Sequence, residues 1–222
     1  MAEYINRFKS CGRNVRIADD VYIEHPEVME LGDNVTLARG FHMVGQPQTC
    51  RFGSDVTFFN NCYIEGSSHR FVIDDHVAFY PNTYISLGRG PTSSVEVGHH
   101  SHFAPACVLY GAGGLRVGSY CNIATNVVFA TVGHDPDCLD QPMALSDGKA
   151  GPITLEEDVW IAANCTITAD TTIAKGCVIA ANAVITKDTK PMGVYGGVPA
   201  QLMWDRREQA ARLAGDEEAD NP

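Results

Sequence analysis

The chain has 222 residues, a hydrophobic share of 45% and 27 acidic against 16 basic residues, for a net charge of -11. That length suits one large domain or two small ones, and the apolar share supports a sizeable core. The acidic balance excludes nucleic acid and an anionic membrane as partners, because both need a basic face.

The first residues, MAEYINRFKS, hold no apolar stretch suited to a signal peptide, and no run reaches membrane-spanning length. The expectation is a soluble, cytoplasmic protein. Residues 9–30 carry a loose repeat, with Ile17, Val21 and Ile23, that reads as a capping coil.

From Leu31 the repeat becomes strict. The aliphatic residues fall in triplets with a step of six: Leu31, Leu37, Met43; Phe52, Phe58, Ile64; Ile73, Phe79, Ile85; Val97, Phe103, Leu109; Val117, Ile123, Phe129; Leu155, Ile161, Ile167; Ile173, Ile179, Ile185. Four residues after the first two members of each triplet stand mostly small residues. Among them are the cysteines at 62, 107, 121, 165 and 177, with Phe41 the one large exception. A six-residue period fits neither a helix nor a hairpin. It fits a short strand followed by a corner, three of which close a triangular coil that stacks at about 4.8 Å. Stacking buries one continuous core, and the small residues fill its narrow interior. The cysteines in those slots read as reduced, buried hydrophobes rather than as a disulfide framework.

Insertions gather after the third member of a triplet. From Leu31 the successive coil lengths are 21, 21, 24 and 20 residues, and from Val117 to Leu155 the length is 38. The longest loop opens with T-V-G-H-D-P-D-C, residues 131–138. Loops on one edge of a rigid solenoid are where function is usually placed. After Pro199 the stretch AQLMWDRREQAARLAG reads as a helix, and the acidic tail DEEADNP reads as disordered. The expected organisation is a repeat domain over 1–198 with a candidate functional loop at 130–152, a helix at 199–214 and a tail at 215–222.

With these motifs in place, the chain resembles the hexapeptide-repeat acyltransferases, and among them the galactoside/maltose and exopolysaccharide acetyltransferase groups. Three ordered blocks carry the resemblance. The first is VGHDP followed by Pro152-Ile153-Thr154-Leu155 and Val159-Trp160-Ile161-Ala162; the others are VIAANAVITKD at 178–188 and Gly197-Val198-Pro199-Ala200. The resemblance implies an all-β fold, a left-handed parallel β-helix of hexapeptide repeats with a short C-terminal helix. It implies transfer of acetyl or another acyl group from CoA to a hydroxyl or amine of a sugar, nucleotide sugar or polysaccharide precursor. It also implies a homotrimer with sites between subunits and no metal.

His134 matches the family's catalytic histidine. An unperturbed imidazole titrates near pH 6.5 and suits a general base that takes the acceptor's proton during direct attack. Ala163, Ala181, Thr186 and Lys187 fall on positions that contact CoA in the galactoside pattern. Residues 173–212 carry a net charge of +3, from six basic and three acidic residues, which suits a polyanionic cofactor. Gln201 replaces the Lys or Arg usual after G-x-P-A, and Arg206 or Arg207 is the candidate substitute. The sugar-binding Asn of the galactoside group falls on Ala104 and its Asp partner near Gly111-Ala112, which argues against a simple galactoside acceptor.

Other residues keep two readings. Asp135 either orients His134 or simply makes a turn before Pro136. Cys138 is a candidate nucleophile with His134 as base. Trp160 either packs at a subunit interface or lines the CoA groove. The cluster GHHSHF, with His99, His100 and His102, raises the alternative of a γ-carbonic-anhydrase-like metal protein on the same fold, although the spacing to a further histidine is absent.

Overall fold

The computed structural model describes residues 6–146 and 148–219. Strands mostly of two to four residues alternate with turns and, but for the last, stack in parallel as three ladders, the faces of a triangular solenoid. The first face runs in register through Leu31, Phe52, Ile73, Val97, Val117, Leu155 and Ile173. The second begins at Ile17 and Leu37 and ends at Ile161, Ile179 and Tyr195. The third begins at Ile23 and Met43 and ends at Ile167 and Ile185. The register is the one the six-residue period predicts, and the loose repeat at 9–30 supplies the first coil, Cys11 pairing with Leu31.

All twenty-one triplet residues are buried, and so are the fourteen slot residues between them. Within the second face Phe58, Phe79 and Phe103 stack with ring centroids 4.6 and 4.8 Å apart, a contact that aromatic pairs strengthen beyond simple burial. Each such side chain stabilises the fold by about 1.5–3 kcal/mol through removal from water. The slot residues also serve the corners. Cys107 Sγ donates to the carbonyls of Ala104 and Ala124 at 3.1 and 3.2 Å, Cys165 Sγ to Ala180 at 3.1 Å and Ser101 Oγ to Gly118 at 2.8 Å.

The corners turn through left-handed backbone. Among the described residues, ten of the fifteen non-glycine residues with positive φ are Asn or Asp, the types that tolerate this conformation best. Their side chains form ladders too, as where Asn14 Nδ2 donates to Asn34 and Asn34 Nδ2 to Asp55, at 3.2 and 3.0 Å. The corner between the third and first faces is different, because the chain leaves the coil there. Tyr63–Ile73 and Tyr84–Val97 run as long strands around it, and the longest excursion, after Ala130, begins there as well.

The C-terminal segment departs from the helix expected over 199–214. Ala200–Asp205 is a strand, paired antiparallel with Gly193–Gly197, and the helix spans Arg206–Ala219. The reason is the open edge of the second face: pairing with it satisfies backbone groups that a helix would have left exposed on the last coil. Asp205 then caps the helix, its carboxylate accepting from the Arg207 N–H at 2.8 Å. Of the expected acidic tail, residues 220–222 lie outside the described residues. No described helix is long and apolar enough to cross a membrane.

All eight cysteines are free, six buried and two, Cys11 and Cys138, half-buried. Burial lifts the thiols of Cys62, Cys107 and Cys121 to about 11, which suppresses the reactive thiolate. A disulfide reagent added to the native protein should therefore titrate two thiols at once and the remaining six only as the chain unfolds. Rapid reaction of more than two would contradict this packing.

Candidate active site

The long excursion is an arm. Val132–His134 pairs antiparallel with Gly148–Ala150, with His134 opposite Gly148 and Gly133 opposite Lys149. A two-stranded ribbon is marginal in water by itself, and the stem explains how this one is held. Thr131 is fully buried. Its hydroxyl accepts from the Gly113 N–H at 3.2 Å and donates to the Tyr110 carbonyl at 2.8 Å, while its own carbonyl accepts from the Gly151 N–H at 2.9 Å. Gly113 and Gly151 permit this approach. A Cβ on the first would collide with the Thr131 and Gly151 carbonyls, and one on the second with the Asp170 carboxylate.

His134 is exposed and lines a cavity of about 290 Å³ together with Lys149, Thr168 and Asp170. Neither Thr131 nor Asp170 stood out in the sequence. The first is an ordinary Thr beside a histidine, and the second becomes a neighbour of the arm only through coil stacking.

Of the residues matched to CoA contacts, Thr186 and Lys187 come to this side of the molecule. Thr186 follows Ile185 as Thr168 follows Ile167, in paired strands, so the two threonines stack at the corner from which the arm leaves. No hydrogen bond or ion pair engages the Lys187 ammonium among the described residues. Ala163 and Ala181 stack one coil apart at the other end of the third face, where the Asn182 N–H donates to the Ala163 carbonyl at 3.0 Å. The four positions thus bracket the last coils of one face rather than forming one cluster.

The basic C-terminal region is less free than its charge implies. Lys175 pairs with Glu157 at 2.7 Å, and Arg207 with Asp205 at 2.5 Å. Arg206 donates to the Gly176 carbonyl at 2.6 Å and lies 3.8 Å from Asp158. Arg206 and Arg207 are therefore already committed to the protein itself, and neither is an unengaged substitute for the cation missing at Gln201.

Asp135 Oδ1 accepts from the Asp137 N–H at 3.1 Å, a turn contact. Cys138 Sγ donates to Asp140 at 3.1 Å. Trp160 is half exposed on the outward side of the second face, where it shares a cavity of about 420 Å³ with His102, Ala104 and Asn122. In a triangle that face is opposite the corner of His134, so the two do not meet within one chain. His99 and His100 sit on the corner between the first and second faces. Their Nδ1 atoms are 3.1 Å apart, and His100, at φ 58, is in ring contact with His76 and Tyr120. Among the described residues no three of His, Cys, Asp and Glu are arranged to hold a metal ion.

Residues 152–187 match a family model described as bacterial transferase hexapeptide (six repeats). The solenoid is built from the hexapeptide repeat. It is an all-β, left-handed parallel β-helix with a short C-terminal helix. No curated protein matches the chain in sequence. Among solved structures, a point mutant of AntD, an N-acyltransferase from Bacillus cereus, in complex with dTDP-4-amino-4,6-dideoxyglucose and Coenzyme A, aligns with a TM-score of 0.53. That alignment has 19% identity and covers 99% of this chain and 96% of that one. AntD in complex with dTDP and 3-hydroxybutyryl-CoA aligns with a TM-score of 0.52 and 17% identity, over 99% and 95% of the two chains. At these identities the likeness shows the fold.

The stem of the arm can be tested directly. Thr131→Val keeps the shape of the side chain but leaves the Gly113 N–H and the Tyr110 carbonyl without their partner, at a cost of about 1–3 kcal/mol. Limited proteolysis within residues 135–146 should accelerate and the melting temperature should fall. An unchanged cleavage rate would mean that the arm is anchored elsewhere.

Proposed function

We propose that the protein is a CoA-dependent acyltransferase that moves acetyl from acetyl-CoA to a hydroxyl or amine of a sugar, nucleotide sugar or polysaccharide precursor, with His134 as general base. The observation that carries this reading is the placement of His134. The one long excursion from a hexapeptide solenoid presents an exposed imidazole over a cavity bordered by Thr168, next to Thr186 on the following coil. The hexapeptide match over 152–187 and the CoA and nucleotide-sugar complexes of the similarly folded AntD support the same reading.

In this mechanism the imidazole takes the proton of the acceptor as its oxygen or nitrogen bonds to the thioester carbonyl carbon. The C–S bond breaks, the thiolate recovers the proton from the imidazolium, and the products are free CoA and an acetyl ester or amide. Ala163 and Ala181 leave room for the pantetheine arm, Thr186 borders it, and the unpaired ammonium of Lys187 suits a phosphate. These residues fit CoA: two add no bulk beyond a methyl group, and among the described residues the cation has no internal partner to give up.

The proposed assembly is a cytoplasmic homotrimer. Trp160, His102 and Ala104 face away from His134 in the single chain, and a neighbouring copy that laid its second face against the arm would bring the two halves together.

Replacing His134 by Ala should lower acetyl transfer by ~10²-fold or more while CoA binding, measured by calorimetry, survives. Turnover near wild type with a verified acceptor would remove His134 from the chemistry.

A further inference from the structure

The outward side of the third face, on the N-terminal side of the arm, carries a ladder of rings. Tyr22, His42, Tyr63 and Tyr84 follow one another with centroids 4.7, 5.2 and 6.1 Å apart, and Tyr84 meets Tyr110 edge-on at 6.2 Å. Tyr84 differs from the other rings in its polar contacts. Its hydroxyl donates to Glu65 Oε1 at 2.5 Å, and the side chain of Ser86 bonds the same hydroxyl. Burial, and then the bond to Glu65, raise the phenol to about 12, so at neutral pH the hydroxyl keeps its proton and remains a donor. No described residue occupies the second carboxylate oxygen of Glu65. Neither outward row of this face between residues 22 and 110 carries a Lys or Arg.

Position matters as much as chemistry. Leu109 pairs with Phe129, which sets Tyr110 beside Ala130, where the arm leaves the coil. The cavity of His134, with Thr168 and Asp170, lies on the C-terminal side of that point, with Thr186 and Lys187 beyond it. The arm therefore stands between two half-sites on one face. One is lined by the residues assigned to CoA, and the other by Tyr110, Tyr84 and Glu65.

We propose that Glu65 and Tyr84 recognise the acceptor, taking a sugar ring through its hydrogen-bond donors, a hydroxyl or an ammonium, and turning away a phosphate at that position. The free carboxylate oxygen accepts from the ring substituent, and the tyrosine rings cover its apolar C–H edge. A carboxylate with no Lys or Arg in either outward row disfavours phosphate at that position, so selectivity comes from what is excluded as well as from what is bound. This inference rests on the acyl-transfer reading for its catalytic meaning, but the recognition site itself is observable without turnover.

The test uses the full chain, a panel of methyl hexosides, hexosamines and hexose phosphates, ligand-detected NMR for binding, and thiol release from acetyl-CoA for activity. Wild type should bind members of the first two groups in preference to the third. Glu65→Gln and Tyr84→Phe should each weaken that binding, and raise the acceptor KM, by about 10-fold or more, with CoA affinity and the melting curve retained. A larger loss for hexosamines than for hexosides in Glu65→Gln identifies the bound group as an ammonium, and equal losses identify a hydroxyl. Unchanged sugar binding in both variants, or tightest binding of the phosphates, overturns the proposal and leaves acyl transfer standing. Sugar binding lost in both variants, with no thiol release from wild type, supports the recognition site and defeats the acyl-transfer reading instead.

Discussion

Everything in this molecule depends on one contact repeated along an axis: each inward side chain rests on its counterpart in the next coil. A single coil has too little interior to bury anything, so its strands are stable only as members of a ladder. That requirement reaches the backbone as well. The Thr36 N–H donates to the Val56 carbonyl and the Ala38 N–H to the Phe58 carbonyl, both at 2.9 Å, so every coil completes the hydrogen bonding of its neighbour. A residue inserted within a face would turn each following side chain to the wrong side of the strand.

Change is therefore confined to the corners, and the three corners are not equivalent. Two turn on one left-handed residue each, often Asn or Asp held by the same residue type in the coil above, as Asn126 is by Asn164. Those ladders leave no room for an extra residue. The third corner is the joint between successive coils, where a longer path only postpones the next strand. The chain uses it for the extended strands at 63–73 and 84–97 and for the arm. The arm is stiff at its root because Thr131 and two glycines bind it to the coil below, and it is solvent-covered beyond it.

These constraints decide how much could be read from residues alone. The period, the register and the slots were legible because burial writes them at a fixed spacing: Leu31 and Ile185 belong to the same pattern 154 positions apart. The arm was legible as an interruption of that pattern. Residues 200–205 were not, since the competition between helix and strand was settled by an open sheet edge that exists only once the coils are stacked. The basic character of Arg206 and Arg207 misled for a similar reason, because Gly176, Asp158 and Asp205 reach them only in the folded chain. Glu65 and Tyr84 stand 19 positions apart, off the repeat of 18, and nothing local links them until coils of unequal length are laid over each other.

The position of His134 follows from the same geometry. On a face, an outward side chain has a neighbour on each side at the coil spacing of about 4.8 Å, and it projects from a flat wall that cannot enclose a reacting pair. An inward side chain is buried beyond reach of any substrate. A general base needs access to the acceptor's proton together with walls that hold two substrates at bonding distance. If His134 is the base, as proposed, raising the imidazole on a ribbon above the one permissive corner would meet both needs, because the ribbon would stand between the coils before it and those after it. The solenoid supplies rigidity, and the arm helps to wall the cavity that His134 lines. On that proposed reading, a substitution that loosened the stem would impair positioning even with the imidazole intact, because the buried hydroxyl of Thr131 ties the arm to the coil below.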